Sequence, residues 1–197
     1  MKAGGDGITA ANKAMATYAN YLEKKEKIKL DLFMEVAQRG EAQAERDAKN
    51  PNAWYWHAYA LGRYSQGISV AKALAQGLGG KVKEALERTI KLQPRHADAH
   101  IALGVFHAEI IDKVGSLLGR TQGASKEAGL ANYKTALKLN PGSAIAMIEY
   151  ANALVMLEGD KKMQEATALY EKAAAAEPMD AMERLDVEMA RAELEEE

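Results

Sequence analysis

Histidine is the residue of this chain best suited to chemistry, and three of the four histidines fall close together. His96 and His100 are four residues apart, and His107 follows seven residues later. On a helix, a four-residue spacing stacks two imidazoles on one face, as zinc sites do. The glutamate such a motif needs is missing, because Ala97, Asp98 and Ala99 fill the interval. The run Gly77-Leu78-Gly79-Gly80-Lys81 ends in lysine as phosphate loops do. It has no strand before it and reads as a turn between two helices. No nucleophile elbow and no dinucleotide fingerprint occurs. The chain has no cysteine, which removes thiolate nucleophiles, thiolate metal sites and disulfides together. The expectation is a protein that is not an enzyme, with no catalytic, metal or cofactor site.

Bulk properties point the same way. A chain of 197 residues with 48% hydrophobic and 27% charged residues can bury a core as one domain. A net charge of -2 gives no bulk attraction to nucleic acid or to an anionic membrane. Lys24, Lys25, Lys27 and Lys29 cluster, but Glu23 and Glu26 dilute them, and stacking aromatics are lacking. No apolar run approaches the roughly 18 residues of a membrane span. The start, MKAGGDG, lacks an apolar signal core, and residues 1–7 are expected to be a flexible leader.

The elements that must position any site are helices, and they repeat. Three segments close alike, at Pro94, Pro141 and Pro178, with a weaker fourth at Pro51. A small, a bulky and a small residue stand 12, 8 and 5 residues before the proline: Ala166, Tyr170 and Ala173, then Gly129, Tyr133 and Ala136. Before Pro94 the set degenerates to Val82, Leu86 and Thr89. A Leu-Gly pair marks the preceding helix at Leu61-Gly62 and Leu103-Gly104, with Tyr150-Ala151 in the third unit. Small residues let two helices touch, and bulky ones fill the space between layers.

These residues make the chain resemble the tetratricopeptide-repeat (TPR) family, of a bacterial type, over roughly residues 50–180. The resemblance implies an all-α, right-handed superhelix of antiparallel helix pairs. The spacing departs from the family unit of about 34 residues. The prolines are 43, 47 and 37 residues apart. The excess falls between the helices of each pair, where Ile68, Val70, Leu74, Leu78, Val114, Leu117 and Leu118 should extend helices with part of their surface buried. Gly79-Gly80 and Gly119 to Gly123 should mark turns. Residues 8–49 should form an N-terminal helical cap, two helices with a tight joint in preference to one long bent helix, carrying Met15, Tyr18 and Leu22, then Ile28, Leu32, Phe33 and Val36. Residues 181–197 should form a C-terminal capping helix, with Met182, Leu185, Met189 and Ala192 as its apolar stripe, and an acidic tail.

The resemblance also implies where a partner lies. The first helix of each TPR pair lines a concave groove, and the family positions fall on Trp56, Tyr59 and Arg63, then Asp98, Ile101 and Val105, then Ile148, Asn152, Val155 and Met156. Tyr59, Ile101 and Ile148 stand where a carboxylate clamp would need lysine, and only Asn152 fits that clamp. His100 and His107 take places the family gives to aromatic packing residues. The expected function is a protein- or peptide-binding adaptor whose partner is an amphipathic helix or extended apolar segment. Two rivals stand beside it. One is a self-assembling component whose groove is filled by residues 8–49 or by a second copy in a homodimer. The other is a small-molecule or metal carrier using Trp56, Tyr59, His100 and His107.

Overall fold

Alanine-rich, proline-poor segments make helices, and several of them begin at a capping side chain. The computed structural model describes residues 5–196. Among these the elements are α1 (Gly5–Thr17), α2 (Glu26–Arg46), α3 (Pro51–Gln66), α4 (Val70–Ala75), α5 (Leu78–Leu92), α6 (Ala97–Thr121), α7 (Lys126–Leu139), α8 (Ala144–Glu158), α9 (Met163–Ala174) and α10 (Ala181–Glu196), with no strand. A π turn, Tyr18–Leu22, closes α1, and a 3-10 turn, Asp160–Lys162, precedes α9. Asn50, Ser69, Ser125 and Ser143 cap α3, α4, α7 and α8 with side-chain oxygens that accept backbone N–H groups. Pro51 takes the first position of α3, where its missing N–H costs nothing.

The chain divides into two compact units, Met1–Pro94 and Arg95–Glu197. In the first, α2 lies along α3, α3 pairs with α5, and α1 touches α2 and α3. In the second, α6 pairs with α7 and α8 with α9, α6 lies against α8, and α10 closes on α9 and α8. The all-α, TPR-like fold is therefore present, with pairs where the prolines placed them. Residues 8–49 form two helices, broken at the non-helical residues 23–25.

Close approach governs the packing. Gly40 of α2 sits so near α3 that a Cβ there would stand 2.6 Å from the His57 backbone nitrogen. Tyr133 is 1% exposed and stacks on Tyr150, ring centroids 5.5 Å apart. Ala136 and Ala173, the small residues of the repeat signature, are fully buried.

Several expectations are corrected. Of the leader, residues 1–4 lie outside the described residues, and Gly5 to Gly7 already belong to α1. Gly79-Gly80 is not the turn. Gly77, at φ 63, makes it, and the two glycines lie in the first turn of α5. The inserts are helical except at Ile68, which lies in the bend between α3 and α4, and Val70, Leu74, Leu117 and Leu118 are exposed, Leu117 at 78%. Leu78 is buried, Ile68 and Val114 are half-buried, and α6 is kinked at Gly115, φ 78. The end caps are rotated from the apolar stripes. α1 and its π turn bury Asn12, Ala16 and Ala19 and leave Tyr18 and Leu22 exposed. α10 buries Asp186, Val187 and Ala190 and exposes Met189 and Ala192. In an alanine-rich stack the smallest residues face inward, since they let helices approach closely.

Candidate functional site

On α3 of the first unit the positions 56, 59 and 63 fall one above another. Trp56 is buried, and its ring meets Tyr59 edge-on at 5.4 Å. The Arg63 guanidinium lies 5.5 Å from the Tyr59 ring centroid, and its Nη1 donates to Gln66 at 3.2 Å. Tyr59 and Arg63 remain half-buried. The aromatic–cation ladder exists, but Trp56 is a core residue and not a surface anchor.

In the second unit the groove positions separate by depth. Ile101 packs with Tyr133, Ala136, Ala146, Tyr150 and Leu154, with Val105 half-buried against that cluster. Ile148 is 2% exposed, in a cluster with Ala144, Met147, Ala173, Val187 and Ala190. Ile101 and Ile148 are thus core, because each faces the neighbouring helices. What reaches solvent is Asp98, half-buried Val105, Asn152 and Val155, and Met156 at 42% exposure. Asn152 is already engaged: its Oδ1 accepts from the Tyr170 hydroxyl at 2.7 Å, tying α8 to α9. At the end of α8, Lys126 and Lys161 bond Glu158 at 2.7 and 2.9 Å. Those hydrogen bonds hold its carboxyl down from 4.5 to about 2.

The histidines secure helices. His96 caps α6: its Nδ1 accepts from the Ala99 N–H at 3.2 Å, and burial lowers its pKa below 6.5. His100 donates from Nδ1 to Asn132 Oδ1 at 2.9 Å, and Asn132 in turn donates to Ala128 O. His107, buried, accepts the Ser125 N–H on Nδ1 at 3.2 Å. Among the described residues no three His, Asp or Glu side chains gather to hold a metal. No helix among them is long and apolar enough to cross a membrane.

One concavity had no signal in the sequence. A cleft of about 370 Å³ opens in the first unit between α2, α3 and the start of α5, with His57 in its wall. His57 stands in the run Trp54-Tyr55-Trp56-His57, which reads as packing.

Stacked helix pairs closed by small and bulky residues, with no assembled reactive cluster among the described residues, define a TPR-like helical repeat protein. The chain matches the family described as regulator of microtubule dynamics protein 1-3 over residues 8–196, and it belongs to that family. A comparison with curated proteins gave no match. Among solved structures it is similar to the crystal structure of a thermophilic TPR protein of Thermus thermophilus. That likeness has a TM-score of 0.58 and 17% identity, and covers 96% of this chain and 82% of that one. It bears on the fold alone.

Proposed function

We propose that the chain is a non-enzymatic protein-interaction scaffold that holds an amphipathic helix or extended apolar segment of a partner. The face assigned to the partner is the solvent side of α6 and α8, with Val105, Asn152, Val155 and Met156. One observation carries the reading: Met156 is 42% exposed beside half-buried Val155, above a core closed by Ile148. Methionine adapts to varied apolar partners, and a half-buried apolar strip on a repeat suits a docked helix. The family description supports a regulatory role.

At the Trp56 end the rival reading is better supported. Trp56 is buried and α1 lies against α3, which favours an end filled by residues 8–49 of the chain itself.

The test is affinity capture from the native host with wild type and Met156→Asp, followed by titration of the captured segment. The family description names microtubule dynamics, so polymerised tubulin is the first defined partner to co-sediment. Loss of binding of about tenfold or more with unchanged helix content is expected. Equal capture by the variant removes this face from the proposal.

A further inference from the structure

The cleft in the first unit rests on three independent features. Its volume, about 370 Å³, lies in the range of small-molecule sites. Its floor is apolar and buried: Ala37 from α2 is 1% exposed, Leu61 from α3 5%, and Leu78 from α5 4%. Its third wall comes from the segment by which this repeat exceeds the family length, turned into place at Gly77 with φ 63.

His57 supplies the polar group. The residue is 9% exposed, and its Nδ1 lies 2.9 Å from the Ala37 carbonyl oxygen. A carbonyl can only accept, so Nδ1 carries the hydrogen, and in the neutral ring Nε2 is left as a lone-pair acceptor. Nothing among the described residues is bonded to Nε2. Nε2 is not among the buried unpartnered atoms, so it opens on the cleft, where a donor brought from outside can reach it beside the apolar floor. At the mouth, Glu41 and Lys81 are both exposed and opposite in charge, so the rim selects neither an anion nor a cation.

We propose that this cleft binds a small, neutral, apolar molecule bearing one hydrogen-bond donor, which it gives to His57 Nε2. An indole N–H on an aromatic body is the matching chemistry. The site is separate from the scaffold face on α6 and α8, and neither reading depends on the other.

Histidine labelling makes the test direct, since the chain has four histidines and hence four ring signals. Indole is titrated into the labelled full chain, then 1-methylindole, which has nearly the same body and no donor. The His57 signal should move with indole while those of His96, His100 and His107 stay. The methylated probe should bind roughly fivefold more weakly, the worth of one neutral hydrogen bond. Met34→Trp, at the edge of the cleft, should weaken indole binding about tenfold with circular dichroism unchanged. If that variant does not fold, the two probes on wild type decide alone. Indole that leaves His57 unmoved at millimolar concentration, or that binds no better than 1-methylindole, overturns the assignment.

Discussion

The ring of Tyr133 lies against the backbone of Gly104: a Cβ on Gly104 would stand 2.8 Å from Tyr133 Cζ. Tyr133 cannot retreat, because it is buried and stacked on Tyr150. Gly104→Ala should therefore overpack the α6–α7 contact and cost on the order of 1–3 kcal/mol. Gly62 holds the same place in the first unit and has nothing within 4 Å. Gly62→Ala should be neutral, or stabilise by up to about 1 kcal/mol through helix propensity. Urea unfolding of the two variants, side by side, checks the contrast.

That contrast marks what could be read from the chain. The helix pairs and their proline boundaries were legible, because periodicity and turn residues are local; the break between α1 and α2 was not, because residues 23–29 hold no glycine or proline. Which Leu-Gly pair is tight was not legible, because the answer lies in whether a bulky ring comes across from the next helix. The groove positions were legible as helix faces but not as depths. Ile148 and Met156 are both apolar and on one helix, yet one is 2% and the other 42% exposed. Alanine misled the reading of both end caps, since stripes of large apolar residues draw the eye and small ones make the contact. His57 was legible as a histidine only; its partner, the Ala37 carbonyl, is twenty residues away.

Gly40 should prove the least replaceable glycine of the first unit. The atoms its Cβ would meet are backbone: His57 N at 2.6 Å, Ala53 O at 3.0 Å and His57 Cα at 3.0 Å. Side chains can rotate away and backbone cannot, so Gly40→Ala should force α2 from α3. A loss of about 3 kcal/mol or more is expected, above the usual overpacking range. Thermal melting followed by circular dichroism would show it, and an unchanged midpoint would show that the two helices have room to spare.

His96 should make stability depend on pH. Burial lowers its pKa in the folded chain below 6.5, against the opposing pull of Asp98, and its Nδ1 must be unprotonated to cap α6. The folded state thus binds the proton less readily than the unfolded state. Its contribution is fully present above about pH 6.5 and is lost as pH falls through the window below. Glu158 adds a second loss lower down, as pH falls from 4.5 towards 2 and its lysine partners lose their carboxylate. His96→Asn keeps a strong cap without titrating there. Denaturant midpoints of this variant should be flat between about pH 7 and 5, where wild type declines. Parallel curves would remove His96 as the cause.

Ile148 and Met156 separate folding from function on one helix. Ile148 is packed among the apolar residues Ala144, Met147, Ala173, Val187 and Ala190. Ile148→Asp would place a carboxylate there, and a buried unpaired charge costs several kcal/mol. That is a large part of the roughly 5–15 kcal/mol that holds a domain together. The variant should lose helix content, so any loss of binding it shows reports unfolding. Met156 is exposed enough that Met156→Asp leaves its charge in water. Surface changes of this kind usually fall within about 0.5 kcal/mol. Its melting curve should overlay wild type, and only then does its partner binding report the surface of α8. If Ile148→Asp instead melts like wild type, the helix is set differently, and the burial that assigns α8 an inner and an outer side is wrong.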